Sequence, residues 1–170
     1  MELVEFGELE FADWAGLTRH DPAPFGPAAV GLEYRPKDRH VGVRDEEGRL
    51  VAVVGATVAQ VTVDGQDPFD VVGIGGLIVH RDFRGLGLSQ RVTNRIREVT
   101  TEWGPSLAMI FCESHVLDLH LRRGYRPITE PVWVDQPAGP VVMPMHAAWR
   151  PFRPAEWPSG GPVRLHGLPF

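Results

Sequence analysis

The chain has 170 residues, enough for one domain with its own core, and at 43% hydrophobic and 23% charged its composition is ordinary for a globular protein. No apolar run reaches the ~20 residues that span a bilayer, and the acidic start Met1-Glu2-Leu3-Val4-Glu5-Phe6 lacks the basic-then-apolar order of a signal peptide. A net charge of -5 argues against a general nucleic-acid binder, and the single Cys112 rules out an internal disulfide and fits a reducing, cytoplasmic setting.

In chain order, residues 2–6 read as a short strand and Phe11 to Leu17 as a helical turn. His20 to Pro27 holds three of the sixteen prolines and reads as a loop or broken helix, with one further turn over Ala28 to Leu32. His40 to Val43 is a short strand, followed by the turn Asp45-Glu46-Glu47-Gly48. Leu50 to Val63 is a long β-branched strand, and Asp64-Gly65 turns it back. The next strand, Val71 to Val79, contains Gly73, Gly75 and Gly76, which suggests a bulge or a close approach by a backbone or ligand.

The spacing of Leu88, Val92, Ile96 and Val99 predicts an amphipathic helix over 88–101, stopped by Trp103-Gly104-Pro105. Leu107 to Cys112 is an apolar run of strand length, which implies burial on both faces. Val116 to Arg123 is a short helix ended by Gly124. Tyr125 to Val134 and Val141 to Trp149 read as two more strands. The division expected is one domain over 1–150 and a proline-rich tail over 151–170, packed on the domain or on a second subunit.

The chemistry concentrates where strand, glycine-rich turn and helix meet. In Arg84-Gly85-Leu86-Gly87-Leu88-Ser89 small residues let a ligand approach the backbone, and the helix that follows opens with free N–H groups at the positive end of its dipole. Arg84 adds a permanent cation, so the loop suits a phosphate or pyrophosphate. Ser89-Gln90 supplies no P-loop lysine, and Gln90 stands where a Rossmann turn wants a small residue.

The run Leu77-Ile-Val-His-Arg-Asp-Phe-Arg-Gly-Leu-Gly-Leu-Ser89 resembles the main motif of the GNAT superfamily of acyl-CoA-dependent N-acetyltransferases. Arg84 and Gly87 match that pattern, and Ser89 replaces its last small residue. Leu107 to Cys112 followed by Leu119-His-Leu-Arg-Arg-Gly-Tyr125 is similar to the family's later strand and helix. A weaker likeness, from Arg123-Gly124-Tyr125 through Val141-Val142-Met143-Pro144 to Trp149-Arg150, points to aminoglycoside 2'-N-acetyltransferases.

The resemblance implies an α/β (α+β) fold: a mixed, mostly antiparallel sheet with a splayed parallel strand pair and helices on both faces. It implies acetyl-CoA as donor, an amine acceptor, and pantetheine lying along Leu77, Ile78 and Val79 with the pyrophosphate on residues 84–89. A backbone N–H near Leu77 would polarise the thioester carbonyl. Many relatives place a tyrosine four residues before the Gly-Phe glycine, and this chain has His120 there. A protonated histidine, near ~6.5, is a stronger acid than a thiol near ~8.5, which makes His120 a candidate proton donor to the leaving thiolate.

For the base, relatives that carry a carboxylate on the glycine-rich strand have it where this chain has Gly75. The candidates here are Glu113, then Glu33, then the terminal carboxylate of Phe170 should the last residues fold back over the site. Loss of both the tyrosine and the strand carboxylate keeps an alternative open, a non-catalytic acyl-CoA-binding sensor or interaction domain. No metal site is expected, because His115 and His120 are five apart and point in different directions on a helix. Cys112 reads as a core residue, and a homodimer using the last strands or the tail is a further expectation.

Overall fold

The structure, a computed structural model, describes residues 1–19 and 24–170. The loop expected over 20–27 therefore lies in part outside the described residues. The elements run β1 (Glu2–Phe6), α1 (Phe11–Thr18), β2 (Arg39–Arg44), β3 (Leu50–Val63), β4 (Phe69–Val79), α2 (Leu88–Thr101), β5 (Leu107–Cys112), α3 (Ser114–Arg122), β6 (Arg126–Ile128), β7 (Val132–Val134), β8 (Val141–Val142), β9 (His146–Pro151) and β10 (Val163–His166).

All the strands join one sheet in the order β6-β9-β5-β4-β3-β10-β7-β8, with β2 on β3 and β1 on β2. Most pairings are antiparallel; β4 with β5 and β10 with β7 are parallel. β3 organises the sheet because fourteen residues without proline let it pair twice along one edge. Its first half meets β2, its second half meets β10, and β4 lies along the other edge.

Alternation along β3 sends successive side chains to opposite faces. Val54 packs with Leu88, Val92 and Ile96 of α2, whereas Val53 packs with Leu17 of α1 and Ile78. The two helices thus cover opposite faces of the sheet. A second apolar cluster, around Met109, Val134, Trp149 and Leu165, fills the end of the molecule where β5, β7, β9 and β10 meet.

Two long strand readings are broken in the structure, each at proline. Pro131 separates β6 from β7, and Pro144 separates β8 from β9, because proline cannot donate to a ladder. The proline-rich residues after 150 are not a loose extension. Val163 and Leu165, fully buried, point into the core from β10, paired with Val63 and Val61 of β3.

Candidate active site

β4 and β5 run parallel but pair only at Val72–Ala108 and Gly73–Met109. Beyond Gly73 the two strands part, so residues 74–79 of β4 have no ladder partner on that side. The bend has a local cause. Gly55 faces Gly75 while Val53 faces Ile78, leaving one more residue on β4 than on β3, and Gly76 sits there at φ 68°. Gly76 thus makes the bulge that the glycine-rich strand suggested.

The opened strand leads into the turn before α2. There a groove of about 320 Å³ is lined by Leu77, Ile78, Val79, Arg84, Gly85, Gly87, Leu88 and Ser89, together with Pro24 and Phe83. Of the nine expected cofactor residues only Leu86 stands away from the wall, with its side chain exposed. Gly87, at φ 72°, starts α2 without a side-chain cap among the described residues, and no acidic residue lies in the first turn. The first N–H groups of the helix are thus left for an anion. Arg84 donates to Val79 O at 3.4 Å and has no carboxylate partner among the described residues.

The turn is braced from outside. Arg19, just past α1, donates to His80 Nε2 at 2.9 Å and pairs with Asp82, and His80 Nδ1 in turn accepts from the Asp82 N–H. The N-terminal helix is in this way tied to the loop.

The residues expected to move protons are placed apart. His120 lies on α3 outside the groove lining, its ring edge-on to Tyr125 at 5.6 Å and its buried Nδ1 without a partner among the described residues. Burial and the nearby Arg123 push the imidazole below its usual 6.5, so it is neutral at pH 7. The cationic acid expected of His120 is therefore not the resting form. Glu113 precedes α3, and its Oε1 accepts from the Ala28 N–H at 3.0 Å, fastening the N-terminal loop. Glu33 is exposed, its N–H donating to Gln136 Oε1 at 2.8 Å. Cys112 is buried and its thiol is pushed up to about 11, mainly by burial, as befits a core residue.

Sequence reasoning missed two groups on the far side of β4. Lys37 crosses Gly55 and reaches Gly75; a Cβ added at those glycines would stand 2.5 Å from Lys37 Cγ and 3.6 Å from its Cε. Burial and Arg35 lower this amine to about 8, against a smaller upward pull from Asp38. Tyr34 has a buried hydroxyl without a partner among the described residues, pushed up to about 12 by burial and by Glu113. Phe170 completes this wall, its ring against Gly73 and its main-chain carbonyl beside Gly75. Only the glycines could have signalled these contacts, since each leaves room for a side chain from elsewhere.

A family profile described as the acetyltransferase (GNAT) domain matches residues 27–128. Among solved structures, the GNAT family N-acetyltransferase YhbS from Escherichia coli, in complex with CoA, superposes with a TM-score of 0.63 at 18% identity, covering 96% of this chain and 89% of its own. An aminoglycoside 6'-N-acetyltransferase complexed with coenzyme A gives 0.60 at 14% identity, with 92% and 100% covered. Escherichia coli ElaA gives 0.58 at 19%, with 88% and 98% covered. A sequence search of curated proteins returns no match. Profile, splayed strands and uncapped loop agree: the chain belongs to the GNAT acetyltransferases, enzymes whose acyl donor is acetyl-coenzyme A.

Proposed function

We propose that the protein transfers the acetyl group of acetyl-CoA to a primary amine of a small molecule. The observation that carries this reading is the parting of β4 from β5 beyond Gly73, which runs straight into the uncapped start of α2. Pantetheine would lie along Leu77, Ile78 and Val79 and take the ladder position that β5 vacates. The pyrophosphate would rest on the N–H groups of residues 84–89, with Arg84 as its counter-charge. The Leu77 N–H is assigned the thioester oxygen, so that negative charge developing on it meets a fixed donor.

An amine attacking that carbonyl approaches from the wall formed by Tyr34, Lys37 and Glu113. Glu113 fastens the loop at Ala28 and turns negative charge toward a cationic acceptor, while Tyr34 offers a buried hydroxyl that no described residue engages. His120 is assigned to the departing thiolate as a neutral N–H donor, because its lowered pKa leaves little imidazolium at neutral pH. An amino sugar is the acceptor class we favour. The stretch Arg123-Gly124-Tyr125 is similar to that of aminoglycoside 2'-N-acetyltransferases, and the chain's net charge of -5 suits a polycation. Among the described residues no helix is long and apolar enough to cross a membrane, and the single cysteine suits the cytoplasm, where we place the enzyme. A second copy is proposed to pack on the β7–β8 edge, where the paired Trp133 and Val142 stay exposed.

The test is release of free thiol from acetyl-CoA in the presence of amino sugars, polyamines, amino acids and peptide N-termini. Turnover with a small-molecule amine is expected. Tight CoA binding with no release for any acceptor would overturn catalysis in favour of a sensor.

A further inference from the structure

Six buried side-chain polar atoms lack a partner among the described residues, and three of them, Arg97 Nε, Arg123 Nη1 and Arg150 Nε, line a single small cavity. Buried polar groups are almost always satisfied, so such a concentration calls for a missing partner.

The cavity measures about 40 Å³ and lies between α2, the turn after α3, and β9. At the ~10–15 Å³ that one water needs, it has space for about three waters, or for the oxygens of one tetrahedral anion. Gln90 and Asn94, both exposed on α2, stand at its mouth.

No carboxylate lines the cavity, and none forms an ion pair with Arg97, Arg123 or Arg150 among the described residues. Tyr125 supplies no negative charge either, since burial holds its hydroxyl at about 12. What the arginines have instead are neutral contacts. Arg150 donates to Arg123 O at 2.7 Å and stacks over the Tyr125 ring, while Arg123 reaches Ser89 Oγ at 3.5 Å. Burial, and after it the charge of Arg97, push Arg150 downward, against a smaller opposite pull from Tyr125. Three guanidinium groups gathered without a counter-ion are unfavourable unless an anion joins them.

We propose that this cavity binds a phosphate monoester. Two sources share that chemistry: the ribose 3'-phosphate of coenzyme A, and free phosphate. The first is favoured by position, because Arg123 links the cavity to Ser89 of the loop assigned to the pyrophosphate, and it rests on that assignment. The second does not.

Titration calorimetry with coenzyme A and with 3'-dephospho-coenzyme A, together with thermal shift in millimolar inorganic phosphate, separates them. Wild type is compared with Arg97→Gln and Arg150→Gln. Arg97 projects from α2 and can be changed even if the Arg150 variant misfolds. If the coenzyme fills the site, wild type binds it about tenfold more tightly than the dephospho form, and the ratio falls toward one in Arg97→Gln. If free phosphate fills it, the two coenzymes bind alike, and inorganic phosphate stabilises wild type but not the variant. A coenzyme ratio and a phosphate response both untouched by Arg97→Gln would mean that the cavity holds only water, and would overturn the proposal. Failure of wild type to bind either coenzyme counts instead against the acetyltransferase assignment of the loop, and leaves the phosphate arm to decide this one.

Discussion

Gly73→Ala tests whether the last residues are locked against β4. Gly73 has no positive φ, so alanine there carries no backbone penalty and would by itself stabilise by about 0.4–1 kcal/mol through the unfolded chain. Sterics reverse the sign. The new methyl would stand 2.4 Å from Phe170 Cδ1 and 2.5 Å from its Cγ, and the ring is held with 3% exposure, its centroid 5.0 Å from that of Phe111. If the ring yields within the core the cost is about 1–3 kcal/mol, as for overpacking, and if it is expelled the cost rises toward the roughly 3–5 kcal/mol of a lost buried phenylalanine. Set against the entropic gain, the net loss is about 0–4.6 kcal/mol, or up to roughly 18 °C in Tm for a chain of this size. Urea and thermal unfolding measure it in the native background and in Phe170→Ala. With the ring gone, Gly73→Ala should cost nothing or stabilise slightly, so the two changes are strongly non-additive. An equal cost in both backgrounds would refute the packing argument.

Arg84→Ala should weaken coenzyme A binding about tenfold or more by calorimetry, through loss of one charge-assisted contact, with the fold unchanged because Arg84 is exposed. His120→Phe should lower turnover while leaving coenzyme affinity nearly unchanged; equal rates for variant and wild type would remove His120 from the reaction. The same histidine makes a stability prediction. Its folded pKa lies below 6.5, so between that value and 6.5 the unfolded chain binds more protons, and stability falls as pH drops through that window. His120→Phe should flatten part of that decline in urea titrations across pH 5–7, with buried His40, lowered in the same direction, retaining its share.

The parts of the fold readable from sequence were those where one pattern runs unbroken. β3 and β5 have the bounds that their apolar runs set, and α2 spans the residues its stripe predicts. The groove was legible for the same reason, since strand, turn and helix follow one another in the chain. β10 was not, because a four-residue strand among prolines has too little periodicity to stand out, and its stability comes from partners a hundred residues away. The wall with Tyr34 and Lys37 comes from an irregular segment whose side chains are positioned by glycines on other strands. Arg97, Arg123 and Arg150 each look like a solvated charge in sequence, and only folding sets them around one cavity.

Because β10 closes the far half of β3, that strand keeps an open row of hydrogen-bonding groups until residues 163–166 arrive. During synthesis the sheet would stay incomplete for most of the chain, its Val61 and Val63 awaiting their partners. Slow maturation and a tendency of nascent or shortened chains to self-associate follow from that late zipper.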